Sequence, residues 1–269
     1  MIAFGRCSTR PPALLVVGWA LAAGLGLSPA AAQDFGAPAA AGPGPSALVF
    51  LERGLPPLEA GVRADAEATR WFGLDELVTR GLALGGSFRS LRGALGISQT
   101  GEAELGWGSA GLALGVARPS GGAAVRLVAR ADRASGVAAR TGAEAGGGAW
   151  IEAGSGIRVW ALAPQLETWG IAPPLRRSLE LGAAIEVGGV RAWLTRAAPV
   201  PPAADAAHAA GLGLWESPWR LWIEARDRPL RALLGVGARA GPLSLGSAVE
   251  SHPVLGETLR LSVGLGREP

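Results

Sequence analysis

Residues 230–266, LRALLGVGARAGPLSLGSAVESHPVLGETLRLSVGLG, decide the fold. Leu243, Leu245, Ser247 and Val249 share one parity, and Ser244, Gly246, Ala248 and Glu250 the other. Leu259, Leu261, Val263 and Leu265 alternate in the same way with Arg260, Ser262, Gly264 and Gly266. A strict period of two puts successive side chains on opposite faces, as in a strand with one apolar face and one polar or small face. Gly241-Pro242 and the segment from His252-Pro253 to Gly256 punctuate the run as turns.

The same rhythm recurs upstream. It predicts strands over 47–53 and 58–64, separated by Pro56-Pro57, then from Leu82 onward two runs ending near Ile97. Further strands are expected at 109–117, 123–131, 136–145, 147–154, 155–163, 178–187, 189–197, 210–216, 219–227, 231–240, 243–251 and 257–266. Gly188-Gly189 reads as a tight hairpin turn. Leu74, Leu77 and Val78 repeat at helical spacing and predict a short helical turn over 73–79, while 164–177 and 198–208 read as longer loops. The sum is an all-β chain, an antiparallel transmembrane β-barrel of about 12–14 strands. A soluble sandwich would also alternate, but its water-facing parity would carry more charge and less glycine than the Gly, Ala and Ser found here.

Residues 1–32 have the form of a cleaved signal peptide: Arg6 and Arg10, an apolar run from Ala13 to Leu27, and Ala30-Ala31-Ala32 before Gln33. Residues 33–46, rich in Ala, Gly and Pro, form a flexible leader, and 47–269 the barrel domain. The one cysteine, Cys7, falls within the signal peptide, so the exported chain would fold without disulfides. Every basic residue is arginine and there is no tyrosine, so a net charge of +3 yields a pI near 10.6. Removing Arg6 and Arg10 leaves +1, too little to argue for nucleic acid.

Nine of the ten tryptophans follow residue 33, and they divide into two sets. Trp71, Trp107, Trp169, Trp215 and Trp219 fall near strand ends, where an interfacial girdle belongs. Trp150, Trp160, Trp193 and Trp222 lie within strands and share parity with charges: Glu152, Arg158, Arg191, and Arg220 with Glu224 and Arg226. Arg126, Arg130, Glu180, Glu186, Arg239, Glu250 and Arg260 extend the same face. A lumen of aromatic platforms and ionic anchors suits a small amphipathic ligand. The competing reading is Arg stacked on Trp and paired with Glu to fill a narrow barrel.

Signals for catalysis are poor. Two histidines and no cysteine after the leader peptide leave no basis for a Cys-His site or a histidine-rich metal site, and no cofactor is expected. His208 and His252 read as turn residues. Gly106 to Gly111 matches G-x-G-x-x-G, but strands flank it on both sides, so no helix dipole is available for a pyrophosphate.

The carboxyl-terminal pattern, with His252, Leu255, Gly256 and Thr258 between two alternating runs, resembles outer-membrane barrels of the PorV/fatty-acid-transporter-like group. That resemblance implies about 14 strands, with either passage of hydrophobic ligands or a role in a secretion system. The expectation is a non-enzymatic outer-membrane barrel in contact with lipid, transporting small molecules, apolar ones included. The alternatives are a closed scaffold or secretion-associated barrel, and a soluble periplasmic β-sandwich binding module.

Overall fold

The computed structural model describes residues 46–57, 61–102, 105–170, 177–200, 206–216 and 218–267. The expected signal peptide and nearly all of the leader lie outside them.

Fourteen strands form one closed antiparallel barrel in which each strand pairs with its sequence neighbours and the last pairs with the first. They are β1 (Val62–Arg70), β2 (Val78–Phe88), β3 (Leu91–Gly101), β4 (Leu105–Arg118), β5 (Gly121–Ala134), β6 (Val137–Gly154) and β7 (Ile157–Trp169). The circuit continues with β8 (Arg177–Val187), β9 (Val190–Val200), β10 (Ala207–Glu216), β11 (Trp219–Asp227), β12 (Leu230–Ala240), β13 (Leu243–His252) and β14 (Gly256–Arg267). Closure leaves no unpaired edge, the condition for strands to cross hydrocarbon. The sandwich alternative is thereby overturned.

The outward parity is apolar and exposed. On β2 and β3 it presents Leu82, Leu84, Leu95 and Ile97, and on β14 Leu259, Leu261, Val263 and Leu265. An apolar face turned out of the barrel is stable in lipid and costly in water. On β10 the exposed His208 and Glu216 bracket Ala210, Leu212 and Leu214, so the polar residues stand at the two rims. One rim carries the tight turns, including Gly188-Gly189 with φ of 57° and 78°. The other carries longer connections, 71–77 among them. Barrels of this type keep short turns on the periplasmic side, which places the start of β1 and the end of β14 there.

Four expectations are corrected. Residues 164–169, expected to open a loop over 164–177, continue the strand β7 to Trp169. Residues 47–53 are not a strand but a helix, α1 (Ala47–Arg53), capped by Ser46 and ended by Gly54 at φ 69°. A segment inside a closed barrel has no strand edge to join, so it must satisfy its backbone internally. Residues 73–79 are not helical: Phe72 and Gly73 adopt φ of 53° and 69°, which breaks the run into turns before β2. The break expected between 145 and 147 is absent, because Gly146–Gly148 lie within the single strand β6. Those glycines serve close approach: a Cβ on Gly54 would meet the Gly147 Cα at 2.9 Å, and one on Gly148 would meet Leu55 at 2.8 Å.

Candidate functional site

The interior is organised around α1. Leu48, Leu51 and Leu55 recur at helical spacing, and with Phe50 they are buried against β1 to β4 and β6. Asp65 on β1 takes the amino-terminal end: its Oδ2 accepts from the Ala47 N–H at 2.6 Å and from the Ser46 hydroxyl at 3.2 Å. Its other oxygen accepts from Arg63 Nε at 2.6 Å. A carboxylate there answers both the unpaired N–H groups and the positive end of the helix. At the other end, Arg126 donates to the Leu51 carbonyl at 2.8 Å, and Arg53 pairs with Glu180 on β8. The chain then leaves along the wall, where Trp150 Nε1 donates to the Pro56 carbonyl at 3.2 Å and Arg92 Nε to that of Pro57 at 3.3 Å.

Beside the helix, Glu144 is fully buried and gathers cations. Arg126 pairs with it directly, Arg130 lies at 3.0 Å and Gln165 donates at 3.2 Å. Burying that carboxylate is tolerable because two guanidinium groups share the site with it.

The four in-strand tryptophans are buried along the inner wall: Trp150, Trp160, Trp193 and Trp222 are between 1% and 8% exposed. Each lies over the glycine directly across the ladder. The pairs are Trp150 with Gly122, Trp160 with Gly182, Trp193 with Gly211, and Trp222 with Gly235. A glycine opposite an indole lets the ring lie flat on the backbone, where a Cβ would collide with it. Charges of the same face complete the layer. Trp193 Nε1 donates to Glu224 at 2.9 Å, and Arg226 Nε to the same carboxylate at 2.6 Å. Trp160 Nε1 donates to Glu180 at 3.3 Å. Arg158 donates to Glu152 at 3.2 Å and stands 5.5 Å from the Trp150 ring centroid. Arg191 donates to Glu186 at 2.9 Å, and Arg231 to Glu250 at 2.9 Å.

The girdle set divides. Trp219 is 60% exposed on the outward parity of β11, and Trp169 is 51% exposed at the end of β7. Trp71, Trp107 and Trp215 depart from the expectation. Trp71 is buried and donates to Thr79 at 2.7 Å, and Trp107 shares the inward parity of Ala113 and Ala117. Trp215 packs edge-on to Trp193 at 5.9 Å beneath Arg191. Strand parity, not nearness to a strand end, decides which way an indole points. His252 ends β13 and closes the turn after it, its Nδ1 accepting from the N–H groups of Val254 and Leu255 at 3.2 and 3.0 Å. His208 instead lies within β10 and pairs with Asp227 on the outer face.

Between α1 and the wall formed by β9 to β14 and β1 remains a cavity of about 160 Å³. Arg191, Arg220 and Arg239 of the expected lumen set line it, together with Trp222. Sequence reasoning missed Arg63, Asp65 and Glu67, which line it from β1, and Arg53 and Gln165 elsewhere in the lumen. For β1, the available signal was the alternation of Arg63, Asp65 and Glu67 with Ala64, Ala66 and Ala68.

No family model matches this sequence, and no curated protein matches it. Among solved structures, the fold is similar to the outer membrane protein Omp33 of Acinetobacter baumannii, at 9% identity over 77% of this chain and 98% of that one, with a TM-score of 0.51. It is also similar to a TodX deletion mutant described as a monoaromatic hydrocarbon channel, at 10% identity over 78% and 89%, with a TM-score of 0.50. At these identities the likeness is one of fold. The closed barrel and its exposed apolar belt support an outer-membrane location.

Proposed function

We propose that this chain is an outer-membrane channel that passes small amphipathic molecules and is closed at rest by α1. Residues 1–32 serve as the export signal and 33–46 as the leader; lipid is the barrel's surrounding partner, and it catalyses no reaction. The observation that carries the reading is the placing of α1 across the lumen by noncovalent contacts alone, to Asp65, Arg126 and Glu180. Such contacts exchange for water when the helix moves, as a gate requires. The likeness to a hydrocarbon channel and the sequence resemblance to fatty-acid-transporter-like barrels both favour transport, with an aromatic lumen able to accept apolar parts of a solute.

The test is planar-bilayer conductance of the full chain beside a variant lacking residues 46–57. Heat-modifiable migration on SDS gels serves as the check of folding. The expected result is rare, small openings for the full chain and sustained conductance for the deletion. A folded deletion variant that stays silent would favour the second reading, a scaffold or secretion-associated barrel. That alternative draws on the Glu224 network, whose partners Trp193 and Arg226 lie on the barrel strands β9 and β11.

A further inference from the structure

We propose that the outer wall of the barrel binds the phosphate groups of an outer-leaflet glycolipid through Arg80 and Arg196, two lipid-facing arginines set below one rim. The outward parity differs between its two ends. Toward the tight turns it stays apolar to the last residues of the strands. Phe88 and Leu91 flank one turn there and Val187 and Val190 another, all of them exposed. Charges on that side stand at strand ends, as Arg118 does on β4 and Glu216 on β10. Toward the longer connections, arginine enters the strands. Arg80 is the third residue of β2 and shares the exposed parity of Leu82 and Leu84. Arg196 stands four residues before the end of β9 and shares the exposed parity of Leu194.

Their surroundings are those of a lipid interface. Ala68 lies directly opposite Arg80, and Leu181 directly opposite Arg196. The acidic groups of the same rim lie farther out: Asp75 and Glu76 in the 71–77 connection, Asp227 and Glu257 at strand ends. Among the described residues, no carboxylate pairs with Arg80 or Arg196. A guanidinium facing lipid is costly at the bilayer midplane and costs little near the interface. Its stem lies along acyl chains while its head reaches the headgroups. The tight turns face the periplasm, so these two heads meet the leaflet on the opposite side. In an outer membrane that leaflet is built of phosphorylated glycolipid.

Each arginine also has a basic neighbour on the next strand. His208 lies directly opposite Arg196, and it engages Asp227 through its backbone N–H at 2.6 Å and its Nδ1 at 2.8 Å. Arg70, paired with Asp75 at 3.2 Å, stands two residues along β1 from the partner of Arg80. Like charges placed across a ladder repel, and diagonal neighbours remain within reach of long side chains. A phosphate between the two members of a pair relieves that repulsion, and a guanidinium matches its oxygens with two parallel hydrogen bonds.

This goes beyond the channel reading and rests only on the outer-membrane location, because binding is read without conductance. The full chain in uncharged detergent would be titrated with bisphosphorylated lipid A and with its dephosphorylated form, bound lipid being counted by native mass spectrometry. Saturable binding of the bisphosphorylated form is expected, with the dephosphorylated form about tenfold weaker or more. Arg80→Gln and Arg196→Gln should each weaken binding about fivefold, the scale of one basic side chain at an anionic membrane surface. Both should keep the heat-modifiable band, since the side chains are exposed. Arg118→Gln removes the same charge at the tight-turn rim and should leave binding unchanged. Excess inorganic phosphate should not displace the lipid, whose acyl chains lie along the belt. Equal binding of the two lipid forms, equal losses in all three variants, no loss in Arg80→Gln and Arg196→Gln, or displacement by free phosphate would overturn the proposal.

Discussion

A methyl group added at Gly211 tests the tryptophan-over-glycine layer. The Cβ of Gly211→Ala would fall 2.7 Å from Trp193 Nε1 and nearer still to the ring carbons. Trp193 is 4% exposed and its ring is braced by Trp215, so it has no open space to enter. Forcing a methyl into such a site costs about 1–3 kcal/mol. Displacing the ring also stretches its 2.9 Å bond to the buried Glu224, worth about 1–3 kcal/mol more. The expected destabilisation is therefore about 2–6 kcal/mol. In a Trp193→Ala background the methyl meets no ring, and Gly211→Ala should be neutral or stabilising by up to about 1 kcal/mol, because alanine restricts the unfolded chain. The four proteins of this double-mutant cycle would be unfolded with urea in lipid vesicles and followed by loss of the heat-modifiable band. A coupling of about 2 kcal/mol or more is expected between groups in contact. An equal cost of Gly211→Ala in both backgrounds would refute the reasoning.

Glu144→Gln leaves Arg126 and Arg130 buried without their shared carboxylate and should cost about 3–5 kcal/mol in the same unfolding assay; a loss below 1 kcal/mol would mean that water or other groups already solvate them. Leu84→Arg on the outward face of β2 should cost about 2–4 kcal/mol in lipid, and a neutral result would place this part of the strand outside the hydrocarbon. At the rim beyond the apolar belt, hydrogen bonds from the His208 backbone N–H, then from its side chain, hold the Asp227 carboxyl below its ordinary range. Its stabilising contribution is thus present above the unfolded value of about 3.9 and is lost as pH falls through the lower folded value. Because the backbone donor is the larger cause, His208→Ala should leave most of the depression in a carboxyl NMR titration; a full return to the ordinary value would assign it to the imidazole.

The barrel was legible because lipid imposes a parity rule on every strand. Leu259, Leu261, Val263 and Leu265 announce a face, and so do Trp222, Glu224 and Arg226 on the other side. What the alternation cannot encode is whatever sits inside. Residues 47–53 offer too few positions to separate period two from helical period. Ser46 and Gly54 as caps, with Leu48, Leu51 and Leu55 between and beyond them, were the signals that favour the helix. Gly146 read as a break between strands because glycine has two uses, and only the neighbouring chain reveals that here the following glycines admit Gly54 and Leu55. The cavity was beyond reach for a related reason. It depends on which residue stands two strands away from Trp222, and that register belongs to the closed sheet, not to any one strand.

Whether α1 moves to open the barrel is tested most directly by fastening it. A Cβ built on Gly85 lies 3.0 Å from that of Ala47, close to the ~3.5–4.5 Å of a disulfide. With Cys7 replaced by serine, the Ala47→Cys, Gly85→Cys protein would therefore tie the helix to β2 once oxidised. Single-channel recordings before and after reduction should show silence in the oxidised form and the return of openings on adding reductant. Equal conductance in the two states would contradict the account, since solute would then be passing a barrel whose helix cannot move.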